Sequence, residues 1–332
     1  MNLAQFPRRG YLQGPTPIES LANFSEALGN KVNIWMKRDD LLPGCGGGNK
    51  TRKLDYSFAD AIEQGADTIV TCGAVQSNHC RLTASWAVKE SMDCHLVLEE
   101  RVKGSYHSDA SGNNFLFQVL GTKSITVVPG GSDMMQEMQK VADKLTAAGK
   151  KTYIIPGGAS NAIGATGYVA CAQEMLQQLF EMNLSIDHVV VPSGSAGTHA
   201  GMVSGLVGNN AHIPITGINV SRPKDLQEKI VHDLAVLTAE RVGVEQEVPE
   251  KSVVCFDNYV GPGYSLPTDA MIEAVKLLAA TEAILLDPVY SGKTMAGCID
   301  LVRKDYFAGC ENILFLHTGG SPALYAYLDT FR

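Results

Sequence analysis

The chain has 332 residues, of which 45% are hydrophobic, and its formal net charge is −8 at pH 7. This length can bury one large or two modest hydrophobic cores. The acidic balance and the scattered Lys and Arg residues argue against nucleic acid and anionic membrane surfaces as partners, because both require clustered cations. No apolar run follows the charges near Met1, so we expect no secretory signal and a cytoplasmic location.

Short β-branched runs alternate with helical patterns along the chain. Three of the helical patterns, Lys53–Gln64, Ser132–Ala148 and Pro223–Arg241, end one or two residues before a glycine, as helices often do. The alternation predicts an α/β fold of mostly parallel sheets flanked by helices. We expect nine strands, divided between two sheets, with the chain crossing between them more than once. The predicted strands are Asn33–Lys37, Thr68–Cys72, His95–Leu98, Ser124–Val128, Tyr153–Ile155, His188–Val191, Ile215–Val220, Ala283–Leu286 and Ile313–His317.

Glycine-bearing turns follow many of these predicted strands. In open parallel sheets, ligands bind beyond the carboxyl ends of the strands, so the turns predict one shared cleft. The turns are Cys72-Gly73, Pro129-Gly130-Gly131, Pro156-Gly157-Gly158, Pro192-Ser193-Gly194 and His317-Thr318-Gly319-Gly320.

A lysine closes the glycine run Gly46-Gly47-Gly48-Asn49-Lys50, just where a helix is predicted to begin. Lysine is the side chain that forms a Schiff base with a carbonyl cofactor. Glycines allow a cofactor to approach the backbone closely, and the positive end of a helix disfavours the lysine cation. A flexible surface loop followed by a basic first turn would produce the same pattern, so this segment alone does not decide its own role.

A loop of small residues, Ser193-Gly194-Ser195-Ala196-Gly197-Thr198, follows the predicted strand His188–Val191 and precedes a helix. Such a loop presents amides and hydroxyls to an anion at a helix N-terminus. Its spacing fits neither the dinucleotide fingerprint nor the P-loop. It therefore predicts a cup for a single phosphate, although close packing of the helix on the strand also favours small residues.

Six further polar side chains lie after predicted strands or beside turns, where ligand-binding residues are frequent. Helix capping and ordinary packing are the alternative explanations for them. These side chains are Ser77, Asn78, His79, Tyr264, Tyr290 and Thr318.

The eight cysteines form no CxxC pair and show no metal-ligand spacing with histidine. We expect them to be free thiols in a reducing compartment, and we expect no metal site. A nucleophilic lysine, a cup for one phosphate and polar groups after several strands suit pyridoxal 5'-phosphate. This cofactor requires a Schiff-base lysine, a phosphate anchor and partners for its phenolic oxygen and ring nitrogen.

Five motifs in order resemble the aminocyclopropane-carboxylate deaminase and D-cysteine desulfhydrase family, and the resemblance covers essentially the whole chain. These are pyridoxal phosphate enzymes of the tryptophan synthase β fold, or fold type II. The motifs are Gly47-Gly48-Asn49-Lys50-Thr51-Arg52-Lys53-Leu54, Gln76-Ser77-Asn78-His79, Ser193-Gly194-Ser195-Ala196-Gly197-Thr198, Asp287-Pro288-Val289-Tyr290 and His317-Thr318-Gly319-Gly320.

The resemblance implies a homodimer whose subunit has two domains, with the active site in the cleft between them. Residues 1–50 and 167–332 would form the large cofactor-binding domain and residues 51–166 the small domain. Lys50 would carry the cofactor, and Asn78 would hold its phenolic oxygen. Residues 193–198 would cradle its phosphate, and Thr318 would meet its ring nitrogen. The residues implied to bind substrate or act in catalysis, besides Lys50, are Ser77, Asn78, His79, Tyr264 and Tyr290.

One departure from the deaminase pattern bears on the reaction. The deaminases have a glutamate after the tyrosine of the Asp-Pro-Val-Tyr motif, facing the ring nitrogen, where this chain has Ser291. A neutral partner keeps the ring nitrogen unprotonated and weakens the electron sink, which suits elimination of a β substituent. We therefore expect a carbon–sulfur lyase of amino-acid degradation, and the resemblance implies first an L-cysteate sulfo-lyase in sulfonate metabolism.

The other reactions and classes stay open at this point. Desulfhydration of D-cysteine is the alternative reaction, and ring-opening deamination of aminocyclopropane-carboxylate is less favoured. An amino-acid sensor without catalysis would have lost Lys50, which is present. A NAD-dependent oxidoreductase would need the glycine fingerprint that is missing.

Overall fold

The computed structural model describes all 332 residues, which form ten strands and eleven α-helices. The strands are β1 (Ile18–Ser20), β2 (Asn33–Arg38), β3 (Thr68–Ala74), β4 (Asp93–Glu100), β5 (Ser124–Pro129), β6 (Thr152–Ile155), β7 (His188–Ser193), β8 (Ile215–Asn219), β9 (Val254–Phe256) and β10 (Asn312–His317). The helices are α1 (Ala22–Ala27), α2 (Lys50–Glu63), α3 (Asn78–Lys89), α4 (Asn113–Val119), α5 (Met134–Ala147), α6 (Ala162–Glu181), α7 (Gly197–Gly208), α8 (Lys224–Val242), α9 (Asp269–Glu282), α10 (Ser291–Arg303) and α11 (Leu328–Phe331).

The strands form two sheets. The larger sheet has the order β1-β2-β10-β7-β8-β9, and the smaller has the order β5-β4-β3-β6. All neighbouring strands are parallel except β1, which pairs antiparallel with β2. The chain leaves the larger sheet after β2 and returns to it at β7, so it crosses between the sheets twice. The predicted α/β fold with parallel sheets flanked by helices is confirmed.

Both sheets are covered on both faces, as parallel sheets require. In β7, Val189 and Val191 belong to one apolar cluster, whereas Val190 belongs to the cluster on the opposite face. In β3, Ile69 and Val70 are divided between two clusters in the same way. This alternation follows the period of two along a strand. No helix is long and apolar enough to cross a bilayer.

Eight of the nine predicted strands are present, and the prediction for Ala283–Leu286 is wrong. That segment follows α9 without strand pairing, and Ala283 has a φ of +57°. Ile284 and Leu286 are buried among apolar side chains, so the apolar alternation reflects packing rather than a ladder. The sequence analysis missed β1 and β9, because three residues are too few to show a periodic pattern.

The two connections between the sheets contact each other directly. Helix α2 leads into the smaller sheet, and α6 leads back to the larger one. A Cβ atom on Gly167 of α6 would lie 2.1 Å from the carbonyl oxygen of Arg52 in α2, so only glycine allows this crossing. The two predicted domain boundaries, at 50/51 and 166/167, fall within α2 and α6. The division into two domains at these positions stays a prediction.

A buried ion network holds α2 against the larger sheet. The Arg52 guanidinium donates to both oxygens of Asp39, at 2.8 and 2.9 Å, and to both oxygens of Glu174, at 2.8 Å. Tyr168 also donates to Asp39, at 2.6 Å, and Lys37 donates to Glu174. Burial alone would raise the pKa of the Asp39 carboxyl, but the neighbouring guanidinium holds that pKa below its ordinary value.

Removing the central cation should destabilise the fold strongly. We expect Arg52→Ala to lower the free energy of unfolding by about 3–5 kcal/mol, because it leaves the buried Asp39 carboxylate without its cation and Glu174 with Lys37 alone. Arg303→Ala is the matched control, since the side chain of Arg303 is 51% exposed and pairs with Glu273 at the surface. The control substitution should lower the free energy of unfolding by at most about 1 kcal/mol. Denaturant unfolding followed by circular dichroism and fluorescence measures both, and equal losses would contradict the assignment.

Candidate active site

Lys50 is the first residue of α2 and lies where the two sheets face each other. The preceding glycine loop packs against the protein itself: Gly47 has a φ of +63°, and a Cβ atom there would lie 2.1 Å from the Asp40 carbonyl oxygen. Arg81 donates to the carbonyl oxygen of Gly47 at 3.0 Å and also to that of Cys45. The glycines therefore serve the close packing that positions Lys50, rather than the approach of a ligand that the sequence analysis expected.

The amine of Lys50 is suited to nucleophilic and basic chemistry. Its Nζ donates to Asn49 Oδ1 at 2.9 Å and lies 5.8 Å from the centroid of the Tyr290 ring. The pKa of Lys50 is lowered to about 8, mainly by loss of hydration; Asp287 opposes the shift, and the charge of Arg81 contributes to it. Burial is thus the main cause of the lowered pKa of Lys50. The sequence analysis had attributed a lowered pKa to the positive end of the helix.

The small-residue loop forms a cup between β7 and α7. Ala196 has a φ of +77°, which turns the chain into the helix. The backbone amides of Ser195, Ala196 and Thr198 have no acceptor within the chain, and Asn49 Nδ2 donates to Thr198 Oγ1 at 2.9 Å. Unpaired amides at a helix start favour an anion.

The cup and the lysine border the same space, as the sequence analysis expected. Asn78 and the hydroxyl of Thr318, which makes no hydrogen bond within the chain, also border it. These groups fit pyridoxal phosphate, whose anionic tail, carbonyl, phenolic oxygen and ring nitrogen need such partners. The residues around this space are Asn49, Lys50, Asn78, Pro192, Gly194, Ser195, Ala196, Thr198, Tyr290 and Thr318.

Two members of the predicted cup do not border that space. The Ser193 hydroxyl accepts a hydrogen bond from Gln227 at 2.9 Å and lies 3.2 Å from Nδ1 of His199. It is therefore bound by side chains of α8 and α7 rather than free to meet a phosphate. The amide of Gly197 donates to Ser160 Oγ at 3.2 Å. Of the residues predicted to bind the phosphate, only residues 194–196 and Thr198 border the space.

The sequence analysis missed Lys53 as a site residue. Its Nζ donates to the Gly158 carbonyl at 3.1 Å, and a Cβ atom on Gly197 would lie 2.8 Å from it. Burial, and then the charge of Lys50, hold the pKa of Lys53 well below its ordinary value. Lys53 thus places a second amine beside the cup. The sequence signal for this was the spacing of three residues between Lys50 and Lys53, which places both side chains on one face of a helix.

A wider cleft of about 300 Å³ continues from this space, and Ser77, Asn78 and His79 line it. Ser77 caps α3 by accepting from the amide of Cys80 at 3.1 Å. Asn78 Oδ1 accepts from Asn113 at 2.8 Å, which fixes the orientation of its amide. The predicted helix-capping alternative therefore holds for Ser77, which still faces the cleft.

Both ring nitrogens of His79 are engaged within the smaller sheet's layer. Thr71 donates its hydroxyl to the Ile155 carbonyl at 2.7 Å and accepts from His79 Nε2 at 2.8 Å, so Nε2 carries the proton. Nδ1 lies 3.5 Å from Thr83 Oγ1. Burial, followed by the charges of Lys50 and Lys53, holds the pKa of His79 well below its ordinary value, so the ring is neutral.

Tyr264 and Tyr290 lie together in the cleft, with their hydroxyl oxygens 2.6 Å apart. Burial raises the pKa of each, so both keep their protons at neutral pH. One proton is shared between the two oxygens, which leaves the other hydroxyl hydrogen free to meet a ligand. Asp287 fixes this end of α10 by accepting from the amide of Tyr290 at 3.0 Å and that of Ser291 at 2.7 Å.

Ser291 does not face the cleft. It is fully buried, and its hydroxyl donates to Asp287 Oδ1 at 2.8 Å. Thr318 is therefore the one of the two hydroxyls that borders the space beside Lys50. No group of three or more His, Cys, Asp or Glu residues is placed to hold a metal ion.

Comparisons with known proteins agree with this geometry. Residues 10–319 match the family described as "Pyridoxal-phosphate dependent enzyme". A D-cysteine desulfhydrase of Serratia proteamaculans (strain 568) is 42% identical over 325 residues, which is 98% of this chain and 97% of the relative.

Solved structures give the same result. The crystal structure of an ACC deaminase homologue matches with a TM-score of 0.89 and 36% identity over 99% of this chain and 96% of its own. A hydrogen sulfide-producing enzyme from Fusobacterium nucleatum matches with a TM-score of 0.64 over 93% of this chain and 96% of its own. At 16% identity, the latter likeness shows the fold alone. The predicted cofactor and the fold type II architecture are confirmed.

The lowered pKa of Lys50 predicts the pH dependence of cofactor uptake. Only the neutral amine attacks an aldehyde. The rate at which the apoprotein takes up pyridoxal phosphate should therefore rise with pH and level off above about 8, rather than near the ordinary lysine value of 10.5. Stopped-flow absorbance of the bound cofactor measures this rate, with Lys50→Ala as the control. A midpoint near 10.5 would contradict the prediction.

Proposed function

Because the chain belongs to the family of pyridoxal-phosphate-dependent enzymes, we propose that it is a carbon–sulfur lyase acting on a cysteine-like amino acid. D-cysteine is the first candidate substrate, since the relative with 42% identity is a D-cysteine desulfhydrase. The observation that carries the proposal is the position of Lys50. Its amine, with a pKa of about 8, lies between the cup and the tyrosine pair.

The proposed cofactor contacts follow from the residues around Lys50. The amides of Ser195, Ala196 and Thr198 would hold the phosphate, Asn78 the phenolic oxygen, and Thr318 the ring nitrogen. When bound, pyridoxal phosphate withdraws electrons from Cα of the amino acid, which makes the Cα proton removable. Lys50 Nζ takes that proton, a role that suits an amine whose pKa is near the working pH.

The remaining site residues bind and orient the substrate. The start of α3 presents the unpaired amides of Asn78 and His79 to the α-carboxylate. The tyrosine hydroxyl that is not donated within the Tyr264–Tyr290 pair can donate its hydrogen to the departing sulfur. His79 positions α3 against β3 rather than exchanging protons, because both its ring nitrogens are engaged.

The overall reaction balances without an oxidant or reductant. The Cβ–S bond breaks and its electron pair leaves with sulfur, while the Cα proton moves to Lys50. D-cysteine and one water give pyruvate, ammonia and hydrogen sulfide. L-cysteate and one water give pyruvate, ammonia and sulfite with a proton.

The surroundings of the ring nitrogen support elimination over ring-opening deamination. The group at the Thr318 position is a neutral hydroxyl, and Ser291 is turned towards Asp287. No carboxylate borders the space beside Lys50. A neutral partner keeps the ring nitrogen unprotonated, so the electron sink is weaker and prompt loss of a leaving group is favoured. Deamination of aminocyclopropane-carboxylate is therefore the weakest of the three candidate reactions.

L-cysteate, which the sequence analysis placed first, becomes the second candidate, because the comparisons favour D-cysteine. L-cysteate remains a candidate because two arginines, Arg101 and Arg222, line the cleft. Three polar side chains at the turn before α6 and in its first turns already have hydrogen-bond partners within the chain. Asn161 caps α6 and Thr166 donates to the Ala162 carbonyl, while Ser160 faces the cup. A homodimer and a cytoplasmic location stay predictions.

Side-by-side assays of the holoenzyme test the proposal. D-cysteine, L-cysteine, L-cysteate and aminocyclopropane-carboxylate should be compared by release of sulfide, sulfite, pyruvate and 2-oxobutyrate. We expect sulfide and pyruvate from D-cysteine in equal amounts. Release of 2-oxobutyrate alone would overturn the lyase proposal.

Lys50→Ala should lower turnover by at least about 10²–10⁴-fold, the contribution of a positioned proton acceptor. Lys304→Ala is the matched control, because Lys304 is an exposed lysine paired with Asp300 outside the cleft. Steady-state kinetics of both variants at equal cofactor content provide the measurement. A Lys50→Ala enzyme with wild-type turnover would refute the assigned role.

A further inference from the structure

Two guanidinium groups meet in the wall of the cleft, and no motif of the sequence contains them. Arg101 directly follows β4 of the smaller sheet, and Arg222 follows β8 of the larger sheet. Both line the same cleft as Lys50 and the tyrosine pair. Opposite sheets therefore contribute one cation each to the region where the side chain of a substrate would lie.

The guanidinium of Arg101 is held in place but keeps free donors. Its Cζ lies 4.2 Å from the centroid of the Tyr264 ring, a distance at which cation and ring attract each other. Its Nε donates to Glu99 Oε2 at 2.6 Å, and the other carboxylate oxygen accepts from the amide of Gly131 at 3.0 Å. The two terminal nitrogens of Arg101 have no acceptor within the chain.

One nitrogen of the Arg222 guanidinium is fixed by hydrogen bonds, and the other two are free. Its Nη1 donates to the Gly194 carbonyl at 2.7 Å and to Gln227 Oε1 at 3.2 Å, while Nε and Nη2 have no acceptor. Burial, and then the positive charge of Arg101, lower the pKa of Arg222. The two cations thus repel each other across the cleft. Glu99, the only carboxylate that lines this cleft, already has both oxygens engaged.

The α-carboxylate of an amino acid has its own binding place at the start of α3. The amides of Asn78 and His79 have no acceptor within the chain. The arginine pair is therefore available for a second negative group. Guanidinium groups bind planar or tetrahedral oxyanions through paired N–H donors and stay charged under all working conditions.

We infer that Arg101 and Arg222 form an anion subsite that binds a negatively charged substituent on Cβ of the substrate. The inference rests on the proposed function, because it assigns the substrate's Cα to the space beside Lys50. Its ligand class comprises amino acids with a sulfonate, sulfinate or carboxylate on Cβ. A neutral thiol substituent gains less from the pair, so these arginines set the preference among sulfur substrates.

Aspartate and asparagine test the subsite without turnover. They are isosteric, neither carries sulfur, and only aspartate has an anionic group on Cβ. Dissociation constants for both enantiomers can be measured from the change in cofactor absorbance of the holoenzyme. The wild type should bind aspartate more tightly than asparagine. Arg101→Gln and Arg222→Gln should each reduce this preference by about tenfold or more, the loss of a charge-assisted hydrogen bond.

Two further variants make the test specific. Arg303→Gln removes an exposed arginine outside the cleft and should leave the preference unchanged. Arg101→Lys keeps the charge but loses the paired donors, so it should retain part of the preference. Cofactor content measured for every variant separates loss of the subsite from loss of the fold, and a misfolded Arg101→Gln leaves Arg222→Gln and Arg101→Lys to decide.

Turnover supplies the second measurement. In the Arg→Gln variants, the ratio of kcat/KM for L-cysteate to that for D-cysteine should fall by about tenfold or more, mainly through KM. A wild type without preference for aspartate, or variants with an unchanged preference, would overturn the subsite even if sulfur compounds are turned over. A wild type that prefers aspartate but releases no sulfide or sulfite would support the subsite and refute the lyase proposal.

Discussion

The burial of the Arg52 guanidinium between Asp39 and Glu174 is the interaction on which the rest of the site depends. It joins the end of β2, the start of α2 and the middle of α6 in a contact in which Arg52 and Asp39 are fully buried and Glu174 is mostly buried. A cation in that position is stable only while both carboxylates are present. Since Lys50 and Lys53 lie on the same first turn of α2, the network fixes the direction in which the Lys50 amine faces the cleft and the Lys53 amine reaches Gly158 beside the cup.

The cleft combines unpaired backbone amides with positive charges that are poorly hydrated. Burial lowers the pKa of Lys50, which lines the cleft, and also that of the neighbouring Lys53 and Arg81, which do not. A phosphate at the cup and a carboxylate at the start of α3 would each offset part of this positive charge. In the reaction we propose, the neutral groups, Thr318 and the tyrosine pair, favour elimination of the group on Cβ.

Local sequence patterns were sufficient for the fold class and for bringing Lys50 and the cup together in one candidate site. Lys50 and the cup stand at element boundaries with a recognisable composition, and the cleft position follows from the rule for parallel strands. Ser193 and Ser195 show the limit: only the structure reveals that the first hydroxyl is bound by Gln227. Arg101 and Arg222 were not found, because they are isolated loop residues brought together by two different sheets.

The adjacent crossing of α2 and α6 has a consequence for how such enzymes diversify. The smaller sheet is a continuous insertion that leaves and re-enters at neighbouring points, where Gly167 touches the backbone of Arg52. An insertion with its two ends side by side can be exchanged as a unit without disturbing the strands around it. Evolution can therefore replace the wall that carries Arg101, and with it the substrate range, while the amine and the phosphate cup are inherited intact.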